Sequence, residues 1–285
     1  MFCDLHTHSI YSDGTLTPAQ IITEAKKIGL GAIALTDHNT VAGLPEFMEE
    51  AKRQNILAVG GVELSTAYED IEFHLLGYFI RPEHYQAVER LTKEFFVLKE
   101  ISNIETIERF VDAGYEISYA DVRKKNPTGN VNRAHIASEL LKKGYVESIN
   151  HAFQTILSVK GGFYVPPTRL RLTDAIKFLR EIKAIPIIAH PLKDVDEKTL
   201  RELLPIMIEA GLMGMETYHS SYDSETIERA ARIAEEFQLL QSGGSDFHGD
   251  NKVNIHLGWG KGNLKIPMRF YEDISKASPA SEVEV

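Results

Sequence analysis

Short stretches of this sequence bring histidine together with carboxylate, the nitrogen and oxygen donors that hold divalent metals. His6 and His8, in Asp-Leu-His-Thr-His-Ser, are spaced i and i+2. On a β-strand that spacing projects both imidazoles from one face, where they can grip one metal ion. Further along come Asp13 in Ser-Asp-Gly, Asp37-His38, Glu63, His74, His190 before Pro191, and Asp246 with His248 in Gly-Gly-Ser-Asp-Phe-His-Gly. Taken singly, a histidine at a strand end is most often a satisfied polar residue, and an aspartate before glycine is a turn. Here HxH, DH and DxH all recur at the ends of predicted strands, with Glu63 and His190 placed likewise. That repetition points to a cluster of metal ligands.

The elements that must position these residues follow a βα rhythm, short apolar runs alternating with longer amphipathic stretches. Strands are expected at Phe2 to Leu5, Ala32 to Leu35, Leu57 to Val62, Glu72 to Tyr78, Ile185 to Ala189, Gly214 to Thr217 and Leu239 to Gly243. Thr17-Pro18 supplies an N-cap and a first-turn proline for a helix ending near Gly29. Further helices are expected at about Leu44 to Gln54, Thr173 to Lys183, Asp196 to Ala210 and Asp223 to Phe237. Between about Pro82 and Pro166 the pattern turns helix-rich, as an inserted subdomain would. The expected organisation is a barrel over 1–81 and 167–277, a helical insertion over 82–166 and a disordered tail over 278–285. In parallel α/β barrels the C-terminal strand ends form the active-site face, where most of these histidines fall.

Composition narrows the chemistry. The 285 residues contain one cysteine, Cys3, which excludes an internal disulfide and thiolate zinc sites, fits a reducing cytoplasm, and reads as a core residue of the first strand. No signal peptide or membrane-length apolar run is evident. The formal net charge of -10 argues against an extended nucleic-acid surface. It leaves a phosphorylated substrate open, since bound divalent metals invert the local sign.

The ordered motifs Asp-Leu-His-Thr-His-Ser, Ser-Asp-Gly, Thr-Asp-His-Asn-Thr, Gly-Val-Glu, His-Leu-Leu-Gly-Tyr, Ala-His-Pro and Gly-Gly-Ser-Asp-Phe-His resemble those of the PHP (polymerase and histidinol phosphatase) phosphoesterases. The likeness runs from residue 4 to about 260. It implies an α/β fold, a distorted (β/α)7 barrel carrying a trinuclear metal site. Carried over by position, His6, His8 and Asp246 would bind a first ion. Glu63 would bridge it to a second held by His74 and His190, and Asp13, His38 and His248 would hold a third. Two or three divalent ions are therefore expected, manganese foremost, with iron and zinc also suited to these donors.

Asn-Val-Asn-Arg-Ala-His-Ile-Ala at 130 to 137 resembles the stand-alone PHP group that includes a nucleoside 3',5'-bisphosphate phosphatase and enzymes trimming RNA from its 5' end. This chain has Ala134 where the group usually has proline. The resemblance implies removal of the 3'-phosphate of nucleoside 3',5'-bisphosphates, with trimming of short RNA as a further activity. A water between two metals, its pKa lowered toward neutrality, would attack phosphorus in line. Arg133 offers a bidentate fork for a phosphate, and Asn132 would cap a helix whose N-terminus faces the same anion. His135 reads as a second phosphate contact, and His219 as a proton donor to the leaving group or a substrate contact. Asp37 reads as an acceptor orienting an imidazole, with a strand-end cap as its alternative.

Histidinol phosphate or another small phosphomonoester is the nearest competing substrate. Amidohydrolases also begin with HxH on a barrel strand, but they typically bridge their metals with a modified lysine, a role Glu63 fills here. A non-catalytic metal-binding module would predict an incomplete ligand set.

Overall fold

In the computed structural model, which describes residues 1–124, 131, 133–262 and 264–278, one nine-stranded sheet curves into a nearly closed barrel. Its strands are β1 (Phe2–Asp4), β2 (Ala32–Leu35), β3 (Leu57–Tyr68), β4 (Ile71–Tyr78), β5 (Leu170–Arg171), β6 (Ile185–Ile188), β7 (Gly214–His219), β8 (Leu240–Gly244) and β9 (Ile266–Pro267). The order is β8-β7-β6-β4-β3-β2-β1-β9, with β5 pairing β3. The sheet closes where the chain runs on past β1 and β8. Leu5 N–H donates to the Gly243 carbonyl at 3.1 Å, Asp246 N–H to His6 at 3.0 Å and His8 N–H to Phe247 at 2.9 Å. Gly244 permits this approach, because a Cβ there would lie 2.0 Å from that of His6.

The sheet is not wholly parallel. β3 and β4 are joined across Glu69-Asp70 as an antiparallel hairpin, and β4 also runs antiparallel to β6. So short a link leaves no room for the helical crossover that a parallel neighbour requires. Elsewhere the amphipathic stretches form helices close to where their capping residues place them. Thr17 makes a complete capping box with Gln20 at the start of Pro18–Lys27. Asp196 and Asp223 cap Glu197–Ala210 and Ser224–Glu236. Two short pairing strands, β5 and β9, and a final helix, Met268–Ala277, fall outside the elements read from sequence. The barrel core gathers Cys3, Leu5, Val59, Leu76, Tyr78, Ile187 and Ile266.

The chain divides into two compact units, Met1–Arg90 with Leu170–Val285, and Leu91–Arg169. The junctions lie beyond 81/82 and 166/167. Residues after Pro82 belong to the first unit because Glu89 accepts from Thr40 Oγ1 and Val41 N–H, both at 2.8 Å. The second unit has its own core, with Ile107, Phe110, Val122, Ile136 and Leu140 buried and Phe110 stacked on Phe163 at 4.5 Å. The tail beyond Ser278 lies outside the described residues, as does Asn132.

Tyr78 ties the barrel interior to its closing seam. Its buried hydroxyl donates to the Leu5 carbonyl at 2.8 Å and meets Ser242 Oγ at 2.9 Å. Removing a buried hydroxyl that serves two partners costs about 1–3 kcal/mol. Tyr78→Phe is therefore expected to lower unfolding stability by that amount in a denaturant titration, with no change in the slope of the transition.

Candidate active site

Backbone pairing continues past the strand ends and carries the candidate ligands with it. Thr36 N–H donates to Thr7 O, Glu63 N–H to Asp37 O, and Asn39 N–H to Glu63 O. These bonds keep His6 and His8, His38, and Glu63 in register on one rim of the barrel. His74 reaches the same rim by another route. Since β4 runs antiparallel, its N-terminal half lies beside the C-terminal half of β3, and His74 pairs with Ser65. His190 and Asp246 follow β6 and β8 with φ of 29° and 57°. Residues other than glycine rarely adopt such angles, and backbone strain of this kind gathers at functional sites.

All nine candidate ligands lie in one contiguous group. At its centre is Glu63, fully buried. Oε2 lies 3.1 Å from His6 Nε2, 3.2 Å from His8 Nε2 and 3.0 Å from His38 Nδ1. Oε1 lies 2.8 Å from His74 Nδ1 and 3.2 Å from His190 Nε2. Asp246 Oδ1 approaches His8 Nε2 at 3.4 Å and His6 Nε2 at 3.8 Å. Asp13 lies 3.2 Å from His248 Nε2 and 3.8 Å from both His8 Nδ1 and His38 Nε2.

Three donor sets are compact enough to hold an ion: His8 with Asp13, His38 and His248; His6 with His8 and Glu63; and His38 with Glu63 and His74. His8 and His38 thus stand between sets, a finer overlap than a partition of three ligands per metal. A cation fits these residues, because His6 Nε2, both ring nitrogens of His8, His38 Nδ1 and Glu63 Oε2 are buried without a hydrogen-bond partner. Polar atoms left this way are costly unless an ion takes them. The donors are nitrogen and oxygen only, which suits manganese, iron or zinc.

Carboxylates that sequence reasoning missed orient the imidazoles. Glu216, buried on β7, lies 3.1 Å from His6 Nδ1 and accepts the His190 backbone N–H at 2.8 Å. Asp194 lies 3.0 Å from His190 Nδ1. Glu216 and His219 are three residues apart, which on a regular strand would send them to opposite faces. An irregularity in the β7–β8 register between Glu216 and Tyr218 turns both inward. The available signal was a glutamate in the middle of the strand Gly-Met-Glu-Thr-Tyr-His. Buried Asp4 accepts from Ser245 and from the Gly258 N–H, steadying the loop that carries Asp246.

Asp37 departs from its expected role. Its carboxylate accepts from the Ser9 N–H at 2.7 Å, Ser9 Oγ at 2.6 Å and Ser12 Oγ at 2.6 Å. With both oxygens engaged it anchors the loop leading to Asp13 and orients no imidazole. His219 Nδ1 accepts from the Ser221 N–H at 3.2 Å, so the proton of a neutral ring belongs on Nε2, 3.4 Å from Asp246 Oδ2. Arg133 and His135 lie in the first turn of the helix Arg133–Lys142, in the second unit. The Arg133 guanidinium carbon lies 4.8 Å from the ring centroids of both Phe153 and Tyr164, and its Nη1 donates to the Leu157 carbonyl at 3.5 Å.

Proton affinities in the cluster follow its charges. Burial would lower the pKa of His8 and His74, but neighbouring carboxylates outweigh it, Asp246 and Glu63 for His8 and Glu63 for His74, raising them to about 9 and about 10. Burial would raise Glu63, yet the surrounding imidazoles hold it well below the usual carboxylate range. His38 goes the other way, burial taking it down to about 3. Burial and the neighbouring His190 also lower His219.

A family model for the PHP domain matches residues 4–165. The chain belongs to the PHP family. It is 33% identical to a 5'-3' exoribonuclease of Haemophilus influenzae over 246 residues, covering 86% of this chain and 89% of that one. It is 30% identical over 265 residues to a 3',5'-nucleoside bisphosphate phosphatase of Chromobacterium violaceum, covering 90% of each. A structure from Bifidobacterium adolescentis, described as a metal-dependent phosphoesterase, superposes with a TM-score of 0.80 at 27% identity, over 97% of this chain and 96% of that one. This PHP protein is a metal-dependent hydrolase of phosphate esters. Among its described residues, no helix is long and apolar enough to cross a membrane.

Two outcomes follow from the cluster. Histidines whose pKa is raised on folding stabilise the metal-free protein fully below about 6.5, their unfolded value, and this is lost as pH rises through about 9 and about 10. In chelator, Tm is expected to fall between pH 7 and 9.5, whereas metal uptake near pH 7.5 should release protons, read by calorimetry in buffers of different ionisation enthalpy. Glu216→Ala removes the acceptor on His6 and His190 and should weaken metal affinity roughly 10–100-fold in a competition titration.

Proposed function

We propose that this protein releases the 3'-phosphate of nucleoside 3',5'-bisphosphates, and that its nine clustered His, Asp and Glu side chains hold two or three divalent ions, manganese foremost. The observation that carries the reading is Glu63, buried with three imidazole nitrogens facing one oxygen and two facing the other. Bound divalent metals would supply positive charge for phosphoryl oxygens and lower the pKa of an attacking water.

The chain's own groups divide the remaining work. His219, its pKa lowered, presents a neutral Nε2–H beside Asp246. That N–H can hydrogen-bond a phosphoryl oxygen or meet the leaving-group oxygen as charge develops on it. Arg133 supports a second phosphate. Its guanidinium carbon lies 4.8 Å from the Phe153 and Tyr164 ring centroids and Nη1 reaches the Leu157 carbonyl at 3.5 Å, contacts that hold in place a fork able to meet an anion. A bisphosphate and the 5'-phosphorylated end of a short RNA both carry the phosphate ester on which this chemistry would act. The activities named for the two curated relatives are consistent with this chemistry.

The test is phosphate release from adenosine 3',5'-bisphosphate in manganese, beside p-nitrophenyl phosphate, histidinol phosphate and a 5'-phosphorylated RNA oligomer. The bisphosphate is expected to give the highest kcat/KM. Arg133→Met should raise its KM roughly 10–100-fold, the worth of a charge-assisted hydrogen bond, while sparing metal content and p-nitrophenyl phosphate turnover. Protein that holds metal yet releases phosphate from none of these esters would redirect the assignment to amide hydrolysis.

A further inference from the structure

The carboxylate of Asp246 is divided between two environments. Oδ1 faces the imidazoles, 3.4 Å from His8 Nε2, 3.5 Å from His248 Nδ1 and 3.8 Å from His6 Nε2. Oδ2 faces His219 Nε2 at 3.4 Å and accepts from Lys252 Nζ at 2.6 Å. The Lys252 side chain is 37% exposed, so its ammonium sits where the buried cluster opens to solvent.

The position of Lys252 is built into the fold. It ends the 3-10 turn Gly249–Lys252, whose Asp250 N–H donates to Thr15 Oγ1 at 2.9 Å and whose Asn251 Nδ2 donates to the Asp13 carbonyl at 2.8 Å. Gly249 opens the turn with φ of 63°, and a Cβ there would lie 2.0 Å from Thr15 Oγ1. The turn is thereby tied to the loop carrying Asp13. A fixed ammonium beside a site for divalent cations is repelled once they are bound, unless an anion lies between. Lys252 and His219 are also two N–H donors converging on one point beside Oδ2, which matches the oxygens of a tetrahedral anion.

We propose that Lys252 is a substrate-binding residue, its ammonium taking a non-bridging oxygen of the scissile phosphoryl group next to His219 Nε2–H. This rests on the reading of the cluster as a phosphoesterase site and adds the residue that reads the anion's charge at its open side. Lys252 sits in no motif of the HxH, DH or DxH type, so ligand spacing does not find it.

The experiment is calorimetric titration of inorganic phosphate into the full-length, metal-loaded protein, with metal content and Tm measured alongside. Lys252→Met is expected to weaken phosphate binding roughly 10–100-fold and to raise KM for the bisphosphate similarly, with metal content and Tm unchanged. Lys252→Arg should recover part of the affinity. Phosphate binding equal to wild type in Lys252→Met overturns the proposal, as does a loss of metal that accounts for the loss of phosphate. Metal-loaded wild type that binds no phosphate overturns the phosphoesterase reading itself, an outcome distinct from either.

Discussion

A carboxylate with no accessible surface must be compensated by whatever surrounds it, and in this protein that condition falls on Glu63. Five imidazole nitrogens lie within 3.2 Å of its two oxygens. They come from the ends of β1, β2 and β6 and from within β4, so meeting the requirement of one side chain requires the barrel. Truncating Glu63 would leave those imidazoles facing one another, and breaking the barrel would leave Glu63 uncompensated. Fold and site are one electrostatic unit.

Around that unit lies a ring of carboxylates and hydroxyls that fix orientation. Glu216 holds His6 and the backbone of His190, Asp37 gathers Ser9 and Ser12, and Asp4 gathers Ser245 and Gly258. None of these three carboxylates is exposed. Their burial is tolerable because each accepts several hydrogen bonds, and the result is a set of donors with little freedom to move. Such preorganisation lets a site bind an ion without reorganising around it.

Much of this was legible in the sequence, for reasons that differ by residue. His6 and His8 announce themselves because a two-residue spacing on a strand has one geometric meaning, and Thr17-Pro18 because a cap and a first-turn proline have local chemistry. Strands β2 and β6 are short apolar runs that end in chemistry. Glu216 offered only its place within a strand as a signal, and its link to His219 was hidden because the register irregularity on β7 turns both to the same side. Asp37 was misread because adjacency to His38 in sequence says nothing about which loop its carboxylate reaches. The antiparallel course of β4 was likewise hidden. It depends on the short link at Glu69-Asp70, whereas the apolar pattern of the strand is indifferent to direction.

The seam between the stretches that follow β1 and β8 joins chain segments some 240 residues apart, Leu5 with Gly243 and His8 with Phe247. Two of the clustered carboxylate and imidazole donors, Asp246 and His248, sit on the late side of that seam. On a ribosome the earlier donors therefore emerge long before the later ones, and the nascent chain passes through a state in which His6, His8 and Glu63 exist without the residues that complete their surroundings. An ion that prefers the finished arrangement favours barrel closure by mass action. Metal supply during synthesis would then govern how much of the chain reaches its closed form, as well as how active that form is.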